Sequence, residues 1–200
     1  MIYDEKYYKT NNYENYLNKS ERYEKLAIEL IEFFDSIKLN FKYKNILDYG
    51  CAIGFFLDGL KKNNIEKTYG YDISSWALEQ IDKKKHKIIS YQEIKENEFE
   101  IVFFLDVLEH MTDEQISDIL LNLKSKKILV RIPVANKKGE DFFLEVSKKD
   151  KTHINCKTKE EWLSFLKKFQ FNNYLKINLN NIYDSDGVFC ALIFRDSLYE

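Results

Sequence analysis

The chain of 200 residues carries 31 basic and 33 acidic side chains, and its net charge of −2 offers no basic field to recruit nucleic acid. A hydrophobic fraction of 44% beside 32% charged residues excludes a disordered chain, and the length suffices to bury roughly 70% of the surface an unfolded chain exposes. No apolar span of the ~18 residues needed to cross a membrane is present, and the first thirty residues hold no apolar run of a secretory leader.

Residues 1–19 are polar and tyrosine-rich (Tyr3, Tyr7, Tyr8, Tyr13, Tyr16) and show no clear period. From Ser20 to about Ile37, the positions Tyr23, Leu26, Ala27, Leu30, Ile31, Phe34 and Ile37 follow helical spacing. Asn45–Tyr49 reads as strand one, Phe55–Asn63 as a helix, Thr68–Tyr71 as strand two and Ser74–Asp82 as a helix. Strand three is expected over Lys87–Tyr91 and strand four over Ile101–Leu105. Thr112 to Leu123 is a helix opened by a Thr112-x-x-Gln115 capping box. Strand five, Lys127–Ile132, is closed by Pro133, and a loop runs to Lys157. A second box, Thr158-x-x-Glu161, opens the next helix. Two last strands, at about 174–180 and 188–194, are joined through an Asp186-Gly187 turn.

Strands that alternate with helices for five rounds imply a parallel sheet covered on both faces. The final pair is too closely joined for a crossover and must run antiparallel. The expectation is a three-layer, Rossmann-like α/β sandwich whose mostly parallel seven-stranded sheet ends in an antiparallel hairpin. Residues 1–19 form a separate segment, and 20–200 a single domain.

In such sheets ligands bind beyond the carboxyl ends of the strands. Asp48, Asp72 and Asp106 end strands one, two and four at that edge. Lys83, Lys84, Lys85, Lys124, Lys126 and Lys127 precede strands three and five at the opposite edge and read as a solvated face. Between strand one and its helix, glycines at Gly50 and Gly54 let backbone N–H groups approach a ligand closely. A carboxylate at Asp48 repels a pyrophosphate but suits a cationic ligand, which points away from NAD and toward a sulfonium nucleoside. Asp72, about 20 residues after Gly50, can accept hydrogen bonds from two ribose hydroxyls. Its alternative is to cap the following helix, a task Ser74 could also perform.

The segments Ile46-Leu47-Asp48-Tyr49-Gly50-Cys51-Ala52-Ile53-Gly54, Tyr69-Gly70-Tyr71-Asp72-Ile73-Ser74 and Phe104-Leu105-Asp106-Val107-Leu108-Glu109-His110 resemble the successive motifs of class I S-adenosylmethionine-dependent methyltransferases. The similarity runs from about residue 20 to the C-terminus. It is nearest in flavour to the small-molecule group that includes ubiquinone-biosynthesis O-methyltransferases and methyltransferases of glycan gene clusters. His153-Ile154-Asn155-Cys156-Lys157-Thr158-Lys159-Glu160-Glu161 resembles that group's His-x-Asn-x-x-Thr-x-Glu-Glu pattern. Ala52 departs from it, standing where the family usually has a glycine. The resemblance implies S-adenosylmethionine as cofactor and an in-line methyl displacement. It implies that Asp48 and the backbone of Gly50, Cys51, Ala52 and Gly54 hold the methionine moiety. Asp72, with Ile73 beside it, takes the ribose; Gln92 or Glu93 takes the adenine edge; and Leu105, Asp106 and Val107 line the sulfonium.

Removing a proton from an acceptor oxygen or nitrogen needs a base. His86 lies in the lysine run and reads as solvated, so His110 and His153 are the candidate catalytic residues, with structural or substrate-orienting hydrogen bonds as the alternative. Asp106, Glu109 and His110 could hold a divalent ion, but two or three ligands on one loop are a weak signal, and no metal ligand is assigned. Residues 1–19 read as a lid, or else as packing on the body or a homodimer contact. Trp76 and Trp162 read as core. The expected acceptor is a small molecule, a sugar or glycan intermediate or a phenolic metabolite, with no nucleic-acid or membrane partner. Alternatives are an RNA or protein methyltransferase, or a cofactor-binding module without transferase activity. Cys51, Cys156 and Cys190, an odd set without CxxC spacing, are expected to be free thiols in a reducing cytoplasm.

Overall fold

The structure is a computed structural model that describes residues 3–10, 16–40, 42–182 and 186–198. Apolar runs rich in Ile, Val and Phe suit a pleated, buried surface and become the strands. These are β1 (Ile46–Tyr49), β2 (Thr68–Tyr71), β3 (Lys87–Ile88), β4 (Glu98–Phe99), β5 (Ile101–Leu105), β6 (Lys124–Ser125), β7 (Lys127–Pro133), β8 (Asn173–Lys176) and β9 (Val188–Phe194). The helices are α1 (Glu5–Lys9), α2 (Ser20–Ser36), α3 (Phe55–Lys62), α4 (Ser75–Gln80), α5 (Tyr91–Glu96), α6 (Asp113–Asn122), α7 (Glu145–Lys149) and α8 (Lys159–Lys167).

Seven strands form one sheet in the order β3-β2-β1-β5-β7-β9-β8, in which β9 runs antiparallel to both its neighbours. The expected Rossmann-like architecture is therefore the observed one. Alternation along the strands sorts the core into two layers. Leu47, Val102, Phe104, Ile128 and Val130 face α5, α6 and α8, where Ile94, Ile116, Leu120, Trp162 and Leu166 meet them. Ile46, Ile101, Phe103 and Leu129 face the other way, onto Leu26, Leu30 and Phe34 of α2 and Phe56 and Leu60 of α3. No helix among the described residues is long and apolar enough to cross a membrane.

Several local expectations give way. The third strand stops at Ile88, because Ser90 caps a new helix: its hydroxyl accepts from Glu93 N–H and the Glu93 carboxylate accepts from Ser90 N–H. A separate two-stranded sheet pairs Glu98–Phe99 with Lys124–Ser125. The segment before Lys157 is not all loop, since α7 forms within it. The connection between the last two strands is longer than a tight hairpin: β8 ends at Lys176, opposite Ala191, although Asp186 and Gly187 do form a turn just before β9. Gly187 also serves close approach, for a Cβ there would meet Phe143 at 2.6 Å and Leu144 at 2.7 Å.

Two charged groups read as solvated are buried. His86 is 5% exposed, and its Nε2 lies 2.9 Å from Asp58 Oδ1 on α3. Lys127 is 2% exposed and donates to Glu100 at 2.8 Å. Spacing along the chain cannot reveal such pairs, because each partner comes from another element. Trp162 lies in the core as expected, whereas Trp76 is half-buried and stacks on Tyr8 with ring centroids 5.2 Å apart. All three cysteines are free.

Candidate active site

The carboxyl ends of β1, β2 and β5 meet at a cavity of about 500 Å³. Gly50, just after β1, takes φ +84°, and a Cβ on it would meet Val107 Cγ2 at 2.5 Å. The turns after β1 and β5 can touch only because residue 50 has no side chain. Ala52 also stands at positive φ, +47°, which is why a glycine is the usual residue there. Its N–H donates to Asp72 Oδ2 at 2.8 Å, and Ser74 N–H donates to Asp72 Oδ1 at 2.7 Å. Asp72 thus ties the glycine turn to the end of β2, while Ser74 is the true cap of α4, accepting from Ala77 N–H at 3.0 Å. Capping α4 thus falls to Ser74, and the backbone contacts of Asp72 hold its carboxylate at the cavity wall.

Asp48 and Asp72 share this wall. Asp48 is 3% exposed, and burial, aided by the Asp72 charge, pushes its carboxyl up to about 8. Burial also raises Asp72, against the lowering effect of the N–H groups of Ser74, Ala52 and Ile73. Two carboxyl groups held above their usual range make a wall that a cationic ligand would relieve.

The opposite side is built from the turn after β5 and the loop before α8. The Asp106 carboxylate is gripped through both oxygens by Arg131 Nη1, reaching across from β7. Glu109 is 1% exposed, and neither of its oxygens has a hydrogen-bond partner from another described residue. Burial and the nearby Asp106 charge hold its carboxyl well above the usual range. His110 Nδ1 lies 2.9 Å from Thr152 Oγ1 and 3.2 Å from the Thr152 carbonyl. The Thr152 hydroxyl donates to Asp150 Oδ1 at 2.6 Å, so both Thr152 oxygens are acceptors toward His110. Nδ1 therefore carries the proton of the neutral ring, and Nε2 keeps the lone pair. Burial, then the neighbouring His153, pushes His110 down to about 4; burial also lowers His153. The two rings meet edge to face at 4.6 Å.

The loop is pinned in place. Ile154 N–H and Asn155 N–H donate to the Glu109 carbonyl at 2.9 and 3.0 Å, and the Asn155 amide donates to the Met111 carbonyl at 2.8 Å.

Of the residues singled out from the sequence, Asp48, Gly50, Cys51, Ala52, Asp72, Ile73, Leu105, Asp106, Val107 and His110 line the cavity. Gly54 lies one step back, as the N-cap of α3. His153 stands behind His110 and not on the wall. Gln92 and Glu93 are also off it: the Gln92 amide donates to Glu96, and Glu93 completes the α5 cap. The wall adds Tyr23, Tyr49 and Tyr71 to the N-terminal Tyr3, Tyr7, Tyr8 and Tyr16. Residues 1–2 and 11–15 of the N-terminal segment, Tyr13 included, lie outside the described residues. Arg131 carries a sequence signal of its own, as the one charge inside the apolar run Ile128–Pro133, since a buried cation needs a partner.

Among solved structures, a SAM-dependent methyltransferase from Archaeoglobus fulgidus is similar at 18% identity, with 90% of this chain and 99% of that chain covered and a TM-score of 0.63. Magnesium protoporphyrin IX methyltransferase from Synechocystis PCC 6803 with bound SAM follows at 15% identity, 88% and 80% coverage and a TM-score of 0.58. An S-adenosylmethionine-dependent methyltransferase from Clostridium acetobutylicum ATCC 824 matches at 14% identity, 87% and 92% coverage and a TM-score of 0.62. No curated protein matches the chain. The sequence profile described as "Methyltransferase domain" matches residues 19–176, most of the chain and all of the β1 to β7 core. The chain belongs to the methyltransferase-domain family.

Proposed function

We propose that this protein transfers the methyl group of S-adenosylmethionine to an oxygen or nitrogen of a small molecule by in-line displacement. Family membership makes it a class I S-adenosylmethionine-dependent methyltransferase. The observation that carries the reading is the pair of acids, buried Asp48 and half-buried Asp72, facing the cavity around the Gly50 turn. S-adenosylmethionine supplies an activated methyl group together with a neutral thioether leaving group. Its sulfonium and ammonium charges suit carboxyl groups that burial, aided at Asp48 by the Asp72 charge, leaves above their usual range. Asp48 and the backbone of Gly50, Cys51, Ala52 and Gly54 hold the amino-acid end. Asp72, beside Ile73, takes the ribose, and Leu105, Asp106 and Val107 line the reacting centre. Gln92 has no part in this arrangement.

The acceptor is a small molecule. Three considerations support this: a cavity of about 500 Å³, a net charge of −2, and a similar fold in an enzyme named for magnesium protoporphyrin IX. His110 faces the acceptor from the cavity wall, and His153, packed behind it, positions its ring. The N-terminal tyrosines form a lid: Tyr8 and Tyr16 are buried, and the Ser74 hydroxyl donates to the Tyr3 carbonyl at 2.6 Å. Alignment of nucleophile, methyl carbon and sulfur is then the chain's main catalytic contribution.

Thermal-shift measurements with S-adenosylmethionine, S-adenosylhomocysteine and NAD test the reading. Both sulfur nucleosides should raise the unfolding temperature, and Asp72→Ala should abolish the effect. Stabilisation by NAD alone, or unchanged affinity in Asp72→Ala, would refute it.

A further inference from the structure

We propose that Glu109, His110 and His153 bind one divalent transition-metal ion at the acceptor side of the cavity. Their ligand atoms all lie within 4.8 Å of one another, with one carboxylate oxygen and one imidazole nitrogen from each ring available. Ligands about 2.1 Å from a single ion sit roughly 3–4 Å apart, so the cluster has to tighten by little more than an ångström.

Two further observations point to a cation. Glu109 is 1% exposed, yet neither carboxylate oxygen meets a donor from another described residue. A buried acid normally finds a hydrogen-bond donor or a cation. The Asp150–Thr152–His110 relay fixes the proton on Nδ1 and leaves the Nε2 lone pair free, the arrangement that orients a ligating histidine. Asp106, which the sequence grouped with Glu109 and His110, is occupied by Arg131. His153, 43 positions beyond His110, takes its place, brought in by the Ile154 and Asn155 N–H bonds to the Glu109 carbonyl.

Two imidazoles and one carboxylate favour a zinc-, manganese- or iron(II)-class ion over magnesium or calcium. Three protein ligands leave coordination positions open. His110 is the ligand that lines the cavity, so an open position faces the acceptor. There the ion would hold an acceptor hydroxyl oxygen beside the reacting methyl group. This role rests on the methyl-transfer reading; metal binding itself does not.

Titration of the full chain with Co²⁺, followed by visible absorption and calorimetry, tests the site, with Mn²⁺ and Zn²⁺ in competition. One ion should bind per chain with imidazole-type Co²⁺ bands. Glu109→Gln and His153→Ala should each weaken binding beyond the roughly 10–100-fold that outer-shell changes cost, and Thr152→Val should fall within that range. His86→Gln, remote from the cluster, should bind as the parent does. Should His153→Ala fail to fold, His153→Asn and the parent's Co²⁺ spectrum still decide. Absent saturation, or binding indifferent to Glu109→Gln and His153→Asn, would overturn the proposal. S-adenosylmethionine affinity, measured separately, keeps the two readings apart: its loss without loss of the metal would sink only the methyl-transfer reading.

Discussion

Asp48 shows how one buried side chain ties stability to pH. Its carboxyl sits at about 8 in the fold against an ordinary 3.8, so the folded state holds the proton over a range where the unfolded chain has released it. By linkage, its contribution to stability is full below pH 3.8 and is lost as pH rises toward 8. A cation binds the ionised form, so S-adenosylmethionine affinity should rise with pH up to about 8 and release a proton. Asp48→Asn should raise the unfolding temperature of the ligand-free protein at pH 8, leave it unchanged below pH 4, and abolish the pH dependence of binding. Calorimetry in two buffers checks the proton count. Ala52 offers a second case, because its φ of +47° strains any side chain. Ala52→Gly should stabilise by about 1 kcal/mol in urea unfolding, the low end of the left-handed penalty.

At the scale of elements, local capping and tertiary packing divide the work. The Thr112 and Thr158 boxes form as their spacing dictates, each with reciprocal side-chain and backbone bonds. Thr158→Ala should cost about 1 kcal/mol, measured by denaturant unfolding, without displacing α8, since Trp162 and Leu166 stay fully buried. Ser90-x-x-Glu93 carries the same signature as those two boxes. It follows an apolar run that reads equally well as strand, and in the fold β3 pairs only β2, through two residues, before the cap begins. The helices α1 and α7, five residues each, have no period long enough to read. Turns this short hold only through packing, as in the stack of Tyr8 on Trp76.

For the whole molecule, topology does most of the arranging. Parallel β1, β2 and β5 end at one edge, so acids separated by tens of residues become neighbours. The N-terminal segment completes the enclosure, with the Tyr3 ring 5.8 Å from His110. Removing residues 1–10 should lower S-adenosylmethionine affinity at least about tenfold and leave cooperative unfolding intact, because the sheet and its two packed layers do not include them. Alternating strands and helices, two of the helix caps, the glycine turn and the acids Asp48 and Asp72 were legible in the chain itself, because each is a short-range pattern set by backbone sterics and hydrophobic period. Tertiary structure alone decided that Asp106 pairs with Arg131, that His86 and Lys127 are buried, and that His153 joins Glu109 and His110. Each of those contacts joins residues that chain spacing cannot bring together, and for Asp106, His86 and Lys127 the energy that selects them is the cost of leaving a buried charge or polar group without a partner.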